Sequence, residues 1–162
     1  MNDESLLQTM GSLETHAIAN VNWAEYPYAP SVNFHIAHSD KVIAVMFKVT
    51  EDHVKAVSME NNGPVWEDSC VEFFARMADG QRYINIEMNC AGTILVGKRL
   101  TKADAQHLSE TEIATIRRIT SLPHEQLDSR GENQSWWAIE VIPYEIFGFD
   151  KKPDLLRANL YK

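Results

Sequence analysis

The chain has 162 residues and a formal charge of −8, with 44% hydrophobic and 23% charged residues. That length suits one domain able to bury a core without disulfide staples, and the composition is that of an ordinary globular protein. The acidic balance, with no basic cluster longer than pairs such as Arg117-Arg118 and Lys151-Lys152, argues against a nucleic-acid partner, which needs a basic patch.

The N-terminal "MNDESLLQTMGSL" is acidic and lacks the basic and apolar regions of a secretory signal. Residues 1–12 therefore read as a flexible N-terminal arm. No apolar run reaches the roughly 18 residues of a membrane span. The expected location is the cytoplasm, or a secreted or periplasmic setting with the signal absent from this chain. Cys70 and Cys90 are too few for a disulfide scaffold or zinc cluster and are expected as free thiols in strands.

Strands follow almost everywhere. "SVNFHIAHS" alternates, with Val32, Phe34 and Ile36 on one face. "KVIAVMFKVT" is apolar on both faces, as in a central strand. "SCVEFFARM" sets Val71 and Phe73 against Cys70, Glu72 and Phe74. In "RYINIEMNC" an apolar row of Ile84, Ile86 and Met88 opposes a polar row of Tyr83, Asn85, Glu87 and Asn89. "GTILVGKR" is the next strand, and residues 100–116 read as a long polar loop holding one short helix. "IRRITSL" and "SWWAIEVIP" resume the strands, the latter with Trp137, Ile139 and Val141 alternating with Trp136, Ala138 and Glu140. Asp128–Glu132 reads as a solvated hairpin, "PYEIF" as a helical turn opened by Pro143, and "LRANLYK" as the last strand.

Eight or more short strands with turns between them imply an all-β fold, an antiparallel β-sandwich with one short helical insertion. The expected core includes Val71, Phe73, Ile84, Ile86, Ile139 and Val141. One sandwich domain is expected over residues 13–162.

Candidate chemistry centres on "NNGPVWEDSCVEFF". Glu72 with Asp68 could form a glycosidase pair, but a fully extended strand would hold them about 13 Å apart, beyond either glycosidase geometry. Trp66, beside Glu67 and Asp68 in a polar loop, admits two readings. It stacks on a sugar ring whose hydroxyls the acids and amides hold, or it plugs the end of the sandwich. His35 and His38 fall on opposite faces of a strand and cannot share a metal ion unless the strand bends.

"PVWEDSCVEFF", "YINIEMNCAGTILVG", "WWAIEVIPYEIFG" and "RANLYK" together resemble the family 9 carbohydrate-binding modules. The nearest likeness is to the stand-alone type of gut Bacteroidetes. It runs in pieces from about Trp23 to Lys162, and Trp-Glu-x-x-x-Val-Glu at 66–72 is its most specific part. The resemblance implies a family-9-like carbohydrate-binding sandwich over residues 13–162. It further implies a non-catalytic module that binds the ends of oligosaccharides or polysaccharides, of a kind attached elsewhere to xylanases. Trp66 matches a stacking tryptophan and Glu72 a carboxylate that holds sugar hydroxyls, while Asn85 and Tyr161 fall near polar contact positions. No cofactor is implied apart from a structural calcium, for which the sequence shows no ligand set. The second stacking tryptophan of the family falls beyond Lys162, and Trp136 and Trp137 do not replace it by position. Two alternatives stay open: a glycoside hydrolase using Glu72 and Asp68, and a structural sandwich that has lost sugar binding.

Overall fold

The computed structural model describes residues 1–22, 24–25 and 27–162; Trp23, where the resemblance begins, lies outside the described residues. Among these, ten strands pair into two antiparallel sheets of five. The first sheet runs in the order β1 (His16–Ala17), β2 (Ser31–His38), β3 (Val42–Ala56), β9 (Leu127–Pro143) and β8 (Arg117–Thr120). The second runs β10 (Ala158–Tyr161), β4 (Cys70–Arg76), β5 (Tyr83–Asn89), β6 (Ile94–Arg99) and β7 (Gln106–His107). This is the antiparallel β-sandwich expected from the strand pattern.

The period-2 rows of β4 and β5 become the core. Val71, Phe73, Ile84, Ile86 and Met88 are all sealed from solvent, packed with Val45, Phe47 and Val49 of β3 and with Trp136, Ala138 and Ile142 of β9. Each large apolar side chain buried this way contributes roughly 1.5–3 kcal/mol. The long loop carries the short helix α2 (Glu110–Ile113), fixed by a capping box between Ser109 and Glu112. Tyr144–Phe147 forms the helical turn after Pro143. Cys70 and Cys90 are free and buried.

Three local expectations are corrected. The first twelve residues do not form a loose arm: helix α1 (Asp3–Gly11) is capped by Asn2, whose side chain accepts from the Ser5 amide. Its Met10 is fully buried against Ala44, Met46 and Ile139 on the outer face of the first sheet. With α1 on that face, the C-terminal half of β9, from Trp136 to Ile142, is covered on both sides, and its faces are the reverse of those expected. Trp136, Ala138 and Ile142 face the core; Ile139 lies under the helix with Trp137 and Val141 beside it. Asp128–Glu132 is not a hairpin but part of β9, which pairs with β3 along nearly its whole length across an irregularity between Glu51 and His53.

The reversed register brings Glu140 into the core, where neither carboxylate oxygen has a partner. Burial pushes its carboxyl up to about 8, against a downward pull from Arg118. Arg118, directly opposite Glu140 in register, donates to the Asn61 side chain and to the Gly92 carbonyl. A second polar line crosses the sandwich at its other end. The Trp136 indole donates to Glu51, which also holds the Lys162 ammonium at 2.7 Å.

Candidate functional site: the outer face of the second sheet

The turn before β4 is built to turn one side chain in and the next one out. Asn62 takes a left-handed backbone (φ 60°), which asparagine tolerates better than most residues. From there its backbone amide bonds the Ile94 carbonyl, and its side chain bonds both the Val96 amide and the Leu108 carbonyl. Pro64 then leads into the short turn Val65–Glu67. Val65 is fully buried on Cys70 and Leu95, on the outer face of the second sheet. Trp66, one residue later, is 55% exposed. Val65 therefore does the plugging, and the indole stands free at the edge of that face.

Asp68 is fully used inside this loop. Its two oxygens accept from the Val57 and Ser58 amides and from the Asn89 side chain. It cannot serve as the partner of Glu72 in bond cleavage.

Strand register arranges the rest of the face in rows. Tyr161, Glu72, Glu87 and Leu95 lie directly opposite one another on β10, β4, β5 and β6. The next row is Asn159, Phe74, Asn85, Gly97 and His107. Of the residues singled out in the sequence, Glu72 and Tyr161 are thus cross-strand neighbours and Asn85 sits diagonally from Glu72. Trp66 lies in the loop that leads into β4, next to Val65, which packs on Cys70 and Leu95 of that face. The Tyr161 ring meets Phe74 edge-on at 5.3 Å, and its hydroxyl accepts from the Asn159 side chain.

Two more residues complete the face: Glu87, which the sequence places in the polar row of β5, and Arg99, which the sequence does not mark. Glu87 stands opposite Glu72, an arrangement of like charges that costs stability. Burial, and then the charge of Glu87, raise the Glu72 carboxyl to about 7, against the pull of Arg99 and Lys102. The Glu87 carboxyl is also raised by burial, offset by a hydrogen bond from Asn85 and by Arg99 and His107. Arg99 lies across Gly97, where a Cβ would come within 3.3 Å of its Nε. A side chain at position 97 would have to displace the guanidinium.

The polar atoms of this face are incompletely satisfied. The Asn85 amide donates to one Glu87 oxygen. Asn85 Oδ1, the other Glu87 oxygen and Arg99 Nε are all buried without a partner. Buried polar atoms are ordinarily hydrogen-bonded, so three orphans of both donor and acceptor type on one face call for an explanation. The sequence did carry one signal, the alternating polar row of β5 that contains both Asn85 and Glu87; Arg99 gave none.

Among the described residues no group of three or more His, Cys, Asp or Glu is placed to hold a metal ion. Among them, no helix is long and apolar enough to cross a membrane.

A β-sandwich with an exposed tryptophan in the loop before β4 and a buried polar outer face on its second sheet fits the class of non-catalytic carbohydrate-binding modules. The model of carbohydrate-binding family 9 matches residues 2–162, and the chain belongs to that family. It is 36% identical to a candidate carbohydrate-binding protein from Bacteroides uniformis ATCC 8492, whose crystal structure superposes with a TM-score of 0.89 over 98% of this chain and 74% of that one. A family 9 module from Caldicellulosiruptor kristjanssonii in complex with glucose shares the fold at a TM-score of 0.54 and 12% identity, over 99% of this chain and 69% of that one. Comparison with curated proteins finds no match.

Proposed function

We propose that the outer face of the second sheet takes the end of a glycan chain. Trp66 offers the stacking surface for the apolar side of a pyranose. Glu72, Asn85 and Tyr161 bond its hydroxyls, and Glu87 and Arg99 join them. The observation that carries the reading is the set of buried orphans on this face, Asn85 Oδ1, a Glu87 oxygen and Arg99 Nε; the exposed indole of Trp66, in the loop that leads into β4, supports it. A sugar hydroxyl both donates and accepts, so one ring can satisfy donor and acceptor orphans together.

Binding without cleavage follows from the same geometry. Glu72 and Glu87 project from adjacent strands on the same side of one sheet. Glycosidase carboxyls flank the scissile bond instead, with one attacking or activating water from the opposite face of the sugar. A ligand lying on this sheet meets both acids from one side.

Calorimetric titration with linear and cyclic oligosaccharides of the same sugar units tests the chain-end reading. The linear ligand is expected to bind and the cyclic one, which has no end, is not. Equal affinity for both would replace chain-end recognition with recognition of internal units. Loss of linear-ligand binding in Asn85→Ala is expected as well.

A further inference from the structure

The outer face of the first sheet is only partly roofed by α1. Beyond the end of the helix lies an open groove of about 380 Å³, at the small end of ligand pockets. Its floor is a register row of Asn33, Lys48 and Trp137 on three neighbouring strands. Ser31, Thr50 and Ser135 form the row beside it, with the Thr50 and Ser135 hydroxyls 2.8 Å apart. Trp137 is half-buried, packed on the side of the Met10 and Met46 cluster, and it lines the groove. Among the described residues lining this groove Lys48 is the only charged one, on a chain whose net charge is −8.

We propose that this groove is a second saccharide site, on the opposite side of the sandwich from the first, and that it takes a sugar bearing a carboxylate, a uronic acid. The indole supplies an apolar surface for the ring, and the amide and hydroxyls supply both donors and acceptors for its hydroxyl groups. The choice of an acidic sugar rests on charge. The ammonium lies near Gly11 at the end of α1 and has no acid among the residues that line the groove, so a carboxylate entering there meets one positive charge and no negative side chain. The site is independent of the chain-end reading, since no residue is shared between the two faces.

The test is a two-dimensional amide and indole NMR titration of the intact chain with a uronic acid oligosaccharide and with its neutral hexose counterpart. The uronate is expected to shift Asn33, Lys48, Thr50, Ser135 and the Trp137 indole, and to do so equally in Trp66→Ala. The neutral sugar, and Lys48→Gln with the uronate, are each expected to bind this face about fivefold more weakly, the scale of one exposed charge pair. Trp137 contributes to packing, so Asn33→Ala, at a half-buried surface position, serves as the second variant and is also expected to weaken the uronate. The proposal is overturned if this face does not shift, if its shifts vanish in Trp66→Ala, or if neutral and acidic sugars bind it alike. Lys48→Gln leaving uronate affinity unchanged would equally overturn it.

Discussion

Each sheet shields part of its outward face from water, by opposite means. On the first sheet, Ala44, Met46 and Ile139 are covered by Met10 of α1, apolar surface on apolar surface. On the second, Asn85 and Glu87 are nearly as buried, yet each keeps a polar atom without a partner, and two carboxylates stand directly opposite. The first arrangement lowers the free energy of the fold. The second raises it, and the cost is intelligible if a ligand restores the missing hydrogen bonds. Functional sites commonly carry destabilising arrangements of this kind.

Neighbouring residues of β5 give the sharpest contrast. Ile86 points inward and Glu87 outward. Ile86→Ala is expected to cost about 2–5 kcal/mol, because it opens a cavity in a packed core. Glu87→Gln should cost nothing comparable, since it removes one of two facing like charges. Denaturant midpoints of the two variants check this, and a loss in Glu87→Gln as large as that in Ile86→Ala would break the contrast.

The helix side comes next in size. Met10→Ala is expected to destabilise by about 2 kcal/mol, the low end for a buried methionine, since only one small cluster lies beneath the helix. Sugar affinity at the second sheet should be unchanged. An equal loss of both would mean that α1 supports the binding face.

Glu140 belongs to neither outer face and sharpens the comparison by its response to pH. Its folded value, about 8, lies above its usual 4.5. Between those values the folded state holds more protons than the unfolded one, so stability falls as pH rises from about 4.5 to about 8 and then levels. Glu72, raised to about 7, adds a slope of the same sign over a narrower range. Glu140→Gln is expected to flatten the curve and to stabilise the protein at pH 8 relative to pH 5. An unchanged pH profile of the melting temperature would show that Glu140 does not titrate there.

The strands that alternate cleanly were readable from sequence. In β5 the apolar row meets the core and the polar row faces out, and in β4 the row of Val71 and Phe73 meets the core while Glu72 faces out, so their orientation follows from period 2. β9 was misread because both of its faces are covered, and its one strong polar marker, Glu140, points into the core. An acid in a strand ordinarily marks the solvent side, and here that rule gives the wrong face. α1 gives little signal because its acidic, polar sequence has one fully buried residue, Met10, helped by the partly buried Leu6 and Leu7. On the candidate site, Trp66 and Glu72 stood out through loop chemistry and resemblance. Glu87 was visible as part of a polar row, though its place opposite Glu72 needed the register. Arg99 depends on space above Gly97, which no local pattern announces.

The central claim, that Trp66 serves a ligand and Val65 the fold, is tested most directly by Trp66→Ala measured twice, for stability and for glycan affinity. Its exposure predicts a change in unfolding free energy within about 0.5 kcal/mol. Loss of a central aromatic contact predicts at least about 2 kcal/mol less binding energy, a fall of roughly thirtyfold in affinity. A variant that loses several kcal/mol of stability while keeping its affinity for linear glycans would contradict the account.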